Sequence, residues 1–177
     1  LINNQLIKDS LLDHIYEPTR VIATEKNEWI IIANGGLYKW NGAVPRQLLI
    51  QSGQEPAKEI DQAIYLNGQL IYFKQAENIL RIMRLDNGAI TGSLAGQRTE
   101  AITGNSSGNI FVKLGGQWLQ LNPTALRNGQ LLTEPLSFAA AIPNRFHIDQ
   151  LYVTGDHIWI QDQTNGFLLL DTQTGIT

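Results

Sequence analysis

Glu28-Trp29-Ile30-Ile31-Ile32-Ala33-Asn34-Gly35-Gly36-Leu37-Tyr38-Lys39-Trp40-Asn41-Gly42 sets two short apolar runs on either side of a glycine pair. The first run is β-branched and aromatic and too short for a helix. The second carries large apolar groups at its first, second and fourth places and closes on Asn. Two strands joined by a tight turn account for both. The Asx side chain after the second bonds backbone N–H groups, stops the ladder and starts the next turn.

The same unit recurs along the chain. Trp29-Ile30-Ile31-Ile32 aligns with Leu70-Ile71-Tyr72-Phe73, Ile110-Phe111-Val112 and Ile158-Trp159-Ile160, at spacings of 41, 40 and 48 residues. Before each lies another apolar segment: Val21-Ile22-Ala23, Ala63-Ile64-Tyr65-Leu66, Ala101-Ile102-Thr103 and Leu151-Tyr152-Val153. Asn67-Gly68, Asn105-Ser106-Ser107-Gly108 and Gly155-Asp156 separate the members of the later pairs with residues that tight hairpins require, and Glu25-Lys26-Asn27 separates the first. Leu37-Tyr38-Lys39-Trp40-Asn41 aligns in turn with Ile82-Met83-Arg84-Leu85-Asp86, Trp118-Leu119-Gln120-Leu121-Asn122 and Phe167-Leu168-Leu169-Leu170-Asp171. A glycine and a short fourth strand follow: Ala43-Val44, Ala89-Ile90-Thr91, Gln130-Leu131-Leu132-Thr133 and Ile176-Thr177.

Four antiparallel strands repeated every ~42 residues are the signature of propeller blades. The expected fold is therefore all-β, a β-propeller of about four four-stranded blades, either a ring of its own or part of a larger one. The blades fall at about 18–51, 60–95, 99–137 and 147–177. Helix has little room except in residues 1–17, where Ile7, Leu11 and Ile15 share a helical face and a strand over Asn4–Leu12 competes. The strand reading would complete the short outer strand of the fourth blade and remove an exposed edge. Closure through a second copy of the chain is the other arrangement.

The stretch from Glu28 to Gly42 resembles the repeat of two-component-regulator propellers, with Leu11-Leu12-Asp13-His14-Ile15 similar to its lead-in. The units at 109–122 and 157–171 look like diverged copies. Leu170-Asp171-Thr172-Gln173-Thr174-Gly175 is similar to the turn that closes the third strand in quinoprotein-like repeats. The resemblance implies a propeller with many blades on the outer face of a bacterial membrane, in a sensor or a membrane-anchored transcriptional regulator. Two departures stand out. Ala33-Asn34 replaces the Gly-Thr of the first repeat, and the chain ends where the docking Trp of the second would follow.

Composition narrows the function classes. The 177 residues are 43% apolar and 16% charged, with net charge −3, sixteen glycines and no cysteine. Collagen, coiled coil and disulfide scaffold are excluded. The longest apolar runs are about five residues, far from the ~20 of a membrane helix. The thirteen Lys and Arg are scattered, so the basic patch that phosphate neutralisation demands is missing and nucleic acid is not an expected partner. A weakly charged surface with 29 Asn and Gln leans towards a periplasmic or other extracytoplasmic setting. The opening Leu is the start expected of a fragment of a longer protein, so missing targeting segments say nothing about the parent.

The search for chemistry yields little. Gly104-Asn105-Ser106-Ser107-Gly108 matches Gly-x-Ser-x-Gly, but it joins two strands and leaves no room for the helix of a nucleophile elbow. His147-Ile148-Asp149 and Asp156-His157 fall at opposite ends of one ladder, so no metal is expected. Glu55, Glu59 and Asp61 lie beside Lys58 in a solvated loop. Trp29, Trp118 and Trp159 sit in repeat columns and read as blade-to-blade packing. Catalytic residues and cofactors are thus not expected. Binding candidates come from the loops between second and third strands and from the inter-blade connections: Asn34, Gln75, Glu77, Arg98, Arg145, His147 and Gln163. Arg98, Arg145 and His147 are the groups best suited to a polar or anionic ligand. The expected role is a non-enzymatic sensory domain that binds a small polar ligand, such as a glycan, or a protein. A scaffold of the quinoprotein-like outer-membrane-assembly type is the alternative, and a quinoprotein enzyme comes third.

Overall fold

The computed structural model describes residues 18–24, 26–33, 36–42, 46–50, 55–56, 60–105, 107–171 and 175–176. The segment 1–17, expected as a closing strand or helix, lies outside the described residues, as do Ala43 and Val44. Four four-stranded sheets dominate, every neighbouring pair antiparallel. The first contains β1 (Pro18–Ala23), β2 (Trp29–Ala33), β3 (Gly36–Trp40) and β4 (Arg46–Gln47). A two-stranded ribbon, β5 (Leu49–Ile50) and β6 (Glu55–Pro56), leads to the second sheet. That sheet contains β7 (Gln62–Leu66), β8 (Gln69–Lys74), β9 (Ile79–Arg84) and β10 (Ile90–Ala95). The third contains β11 (Thr99–Gly104), β12 (Ile110–Leu114), β13 (Gln117–Leu121) and β14 (Thr133–Glu134). The fourth contains β15 (Gln150–Thr154), β16 (His157–Asp162), β17 (Gly166–Asp171) and β18 (Gly175–Ile176).

In each sheet the strands lie side by side in sequence order. The first strands also meet across sheets, β1 beside β7, β7 beside β11 and β11 beside β15. Four meanders stacked face to face around their first strands are the blades of a β-propeller. Local chemistry sets the hairpins. Asn67 and Gly68 both take positive φ, 48° and 76°, and form the two-residue turn that matches strand twist between β7 and β8.

Three apolar cores fill the gaps between four blades. Ile30, Ile32 and Leu37 of the first blade pack on Ala63, Leu70, Tyr72 and Met83 of the second. Ile64, Ile71, Phe73 and Ile82 of the second pack on Ile102, Ile110, Val112 and Leu121 of the third. Phe111 and Trp118 of the third pack on Leu151, Ile158, Ile160 and Leu170 of the fourth. Period-two alternation explains the sharing: Ile71 faces forward while its neighbours Leu70 and Tyr72 face back, so the middle blades are apolar on both sides. No core among the described residues joins the fourth blade to the first.

Two expectations need correction. In the second blade Leu70 pairs with Met83, whereas Trp29, the equivalent of Leu70, pairs with Trp40. Met83, not Leu85, therefore matches Trp40, and the aligned run Ile82–Asp86 is slipped by two residues. Helix also appears where none was expected, as α1 (Pro123–Arg127) between β13 and β14, with single 3-10 turns at Gln75–Glu77 and Ala139–Ala141. Because α1 takes up the residues after Asn122, the fourth strand shrinks to Thr133–Glu134 instead of starting at Gln130.

Candidate functional site

The seven candidates from the sequence scatter around the β2–β3-type turns and inter-blade connections. Asn34 and the side chain of Gln75 lie outside the described residues. Glu77 closes the 3-10 turn and is held by Lys74 and by Arg81 at 3.1 Å, which keeps its carboxyl below the usual carboxylate range. Arg98 precedes β11, and its carbonyl accepts from the Gly115 amide at 2.9 Å.

Arg145, His147 and Gln163 converge at the fourth blade through backbone bonds. The buried Asp162 carboxylate accepts from the His147 amide at 2.6 Å, the Thr164 amide at 2.7 Å, the Asn165 amide at 2.9 Å and Asn165 Nδ2 at 2.9 Å. The Asn165 side chain and these amides hold the Asp162 pKa well below the usual range, because every bond favours the charged form. Asn165 Nδ2 also donates to the Arg145 carbonyl at 2.7 Å, and Asp149 Oδ2 accepts from the Gln163 amide at 2.7 Å. This cluster is an anchor for the chain entering the fourth blade: the Asp162, Asn165 and Asp149 side chains hold the backbone of Arg145, His147 and Gln163. His157 opens β16 and Asp162 closes it, so His147 and His157 lie at opposite ends of the strand.

Gly104-Asn105-Ser106-Ser107-Gly108 is the β11–β12 turn. Asn105 Oδ1 accepts from the Ser107 and Asn109 amides at 3.1 and 3.2 Å, while Asn105 Nδ2 donates to the Gly155 carbonyl at 2.8 Å in the fourth blade. Asn105 thus ties two blades together. Trp118 is buried between blades as expected, but Trp29 and Trp159 are 42% and 41% exposed.

A cleft opens on the other face, among the β1–β2 and β7–β8 turns and the end of α1. Its volume is about 770 Å³, within the range of small-molecule sites. Lys26, Lys39, Arg84 and Arg127 bring four cations to its walls, against Glu28 and Asp86. Lys39 pairs with Glu28 at 2.9 Å and Arg84 with Asp86. Lys26 and Arg127 make no ion pair among the described residues, so the cleft keeps two uncompensated positive groups. Tyr65 and Leu85 add apolar surface and Asn67, Gln69 and Asn128 add amides.

Sequence reasoning missed this cleft because it missed α1. Asn122 caps the helix, Oδ1 accepting from the Ala125 amide at 2.8 Å, and Pro123 occupies the first turn where a missing N–H costs nothing. Asn122 Nδ2 donates to Glu134 Oε2 at 2.9 Å, fastening the helix start to β14. At the far end Asn128 and Gly129 stop the helix, Gly129 with φ of 72°. Asn-Pro followed by Asn-Gly was the available signal. A second cavity of about 450 Å³ lies between the third and fourth blades, walled by Phe111 and Phe138, whose rings meet edge to face at 5.5 Å.

No family model matches the chain, and no curated protein matches it. Solved structures show the same fold at low identity. The chain is similar to the C-terminal WD40 domain of Sif2, with 12% identity, TM-score 0.59, and coverage of 85% of this chain and 44% of that one. It is similar to the extracellular domain of the one component system BT4673 of B. thetaiotaomicron, with 12% identity, TM-score 0.56, and coverage of 92% and 25%. The computationally designed Ika4 protein matches at 14% identity and TM-score 0.56, over 88% of this chain and 91% of that one. The chain thus spans less than half the length of the WD40 and sensor domains it superposes on. The fold is a β-propeller.

Proposed function

We propose that this chain is a non-enzymatic, ligand-reading propeller domain of a bacterial sensor or membrane-anchored transcriptional regulator, working outside the cytoplasm. The observation that carries the reading is the 770 Å³ cleft with Lys26 and Arg127 at its walls, neither in an ion pair among the described residues. Two cations over a floor of amides and one aromatic ring suit a small polar ligand bearing an anionic group, of which an acidic sugar is the representative class. Similarity to the sensor's extracellular domain supports the setting. Blades supply rigid walls, and a ligand that touches turns from three blades would change how they are held together, which is how binding reaches the rest of a receptor.

The test is a thermal-shift and calorimetric screen of the chain against uronic acids, sialic acid, sulfated disaccharides and their neutral counterparts. Acidic sugars are expected to raise the melting temperature and neutral ones to leave it unchanged. No shift with any of them at millimolar concentration, together with a protein retained in pull-down, would replace this reading with the protein–protein scaffold.

A further inference from the structure

The junctions between blades are not chemically alike. Between the second and third blades, Ile71 and its cross-strand partner Ile82 are both fully buried in an apolar core. Between the third and fourth, Phe111 takes the place of Ile71, and its cross-strand partner is Gln120. A primary amide, 7% exposed, thus stands where the preceding blade puts an isoleucine. Burying it costs free energy unless its hydrogen bonds are met.

They are met only in part. The Ser137 amide donates to Gln120 Oε1 at 3.5 Å, the outer limit of a hydrogen bond. A backbone N–H can only donate, so the atom facing it is the oxygen, and Nε2 keeps two protons with no acceptor among the described residues. Gln120 lines the cavity of about 450 Å³ between the two blades, where Phe111, Phe138, Ile158 and Leu170 give apolar walls and Asp171 adds a carboxylate. Gly175 pairs with Asp171 and Ile176 with Leu170, so β18 is directed toward the Gly166 end of β17, away from the Asp171 end where the cavity lies. The cavity belongs to the junction of two blades and not to an end of the array.

We propose that this cavity binds a small neutral aromatic molecule with a carbonyl oxygen, of the benzamide class, at a site separate from the cationic cleft. Space allows it, since an apolar cavity of ~150 Å³ already takes up benzene. Phe111 and Phe138 meet edge to face and offer a third ring the same kind of contact. The carbonyl oxygen takes the two idle protons of Gln120 Nε2, which a buried donor gains most from. Asp171 sets the charge: a second carboxylate in the same cavity would be repelled, whereas the N–H groups of a neutral amide find an acceptor there.

The test titrates the isotope-labelled 177-residue chain with benzamide, benzoate and cyclohexanecarboxamide and follows the side-chain amide resonances of Gln120 by NMR. The titrations are repeated on Gln120→Leu, an aliphatic replacement of the kind the second blade carries at Ile82. Benzamide is expected to bind at millimolar concentration and to move the Gln120 resonances. Benzoate and cyclohexanecarboxamide are expected to bind at least about tenfold more weakly, and Gln120→Leu to lose benzamide by a similar factor. The melting temperature of the variant should not fall, because an unmet donor has been removed. No benzamide shift at Gln120, benzoate binding as tightly as benzamide, or a folded Gln120→Leu with full affinity each overturns the proposal. The parent-chain titrations decide by themselves if the variant does not fold.

Discussion

Gly92 and Gly129 touch across the boundary between the second and third blades: a Cβ built on Gly92 would lie 2.4 Å from the Gly129 carbonyl oxygen. Gly92 belongs to β10, and Gly129 ends the turn after α1. Their contact seats the helix terminus, and with it Arg127 and Asn128, at the wall of the cleft. Gly92→Ala must push backbone, not a flexible side chain. The expected cost is about 1–3 kcal/mol, a fall in melting temperature of roughly 3–10 °C, with weakened binding of any ligand that relies on Arg127. An unchanged melting curve would mean that the two glycines do not meet.

Asn122 begins α1 with both ends of its amide occupied. Asn122→Ala removes the cap and leaves the Ala125 amide and Glu134 without their partner, at a cost of about 1–2 kcal/mol. Asn122→Asp keeps the cap acceptor but sets a carboxylate against Glu134, and falls between the two. Urea midpoints at constant m-value give the order Asn, Asp, Ala.

Asp162 links stability to acid. Its carboxyl is held below the usual range in the folded chain, so its contribution is fully present above the unfolded value near 3.8 and is lost as pH falls through the lower folded value. The melting temperature of the parent chain is expected to decline below about pH 4, more steeply than that of Asp162→Asn. At neutral pH the variant is less stable, because it gives up charge-assisted bonds to the His147, Thr164 and Asn165 amides. Parallel pH–melting slopes for the two proteins would remove Asp162 from the account.

Arg127→Gln and Lys26→Gln separate the cleft from the rest of the surface. Each is expected to weaken an acidic sugar by about tenfold, the effect of ~1.4 kcal/mol, without moving the melting temperature of the free chain by more than ~1 °C. Titration calorimetry reads both. Arg145→Gln, in the anchor of the fourth blade, serves as the control that leaves affinity unchanged.

Much of the architecture was legible because repetition averages out the ambiguity of short apolar runs. Trp29–Ile32 alone reads as a strand without saying what it pairs with, but four such runs at near-constant spacing, each followed by a second run, suit only a meander. The register of the second blade escaped for a specific reason. A slip of two residues leaves every side chain on the same face, so Met83 and Leu85 are equivalent to any argument from alternation. What decides between them is the length of the turn at Gln75–Glu77. Helix α1 escaped because its five residues are too few to show a period, and only its caps announce it. The cleft was invisible for the same reason, since Lys26, Lys39, Arg84 and Arg127 come from three blades and share no motif. The exposed state of Trp29 and Trp159 depends on what stands beside them, which a repeat column does not record.

Four blades with three cores have a graded interior. The second and third blades each contribute to two of the three cores among the described residues and the first and fourth to one, so opening free energies for single blades should descend from the middle of the array to its ends. Amide hydrogen exchange would then map as a symmetric profile along the sequence, slowest in β8 and β12 and fastest in β1 and β17. Any event that fills the outer faces would flatten that profile without altering a single contact inside the middle blades.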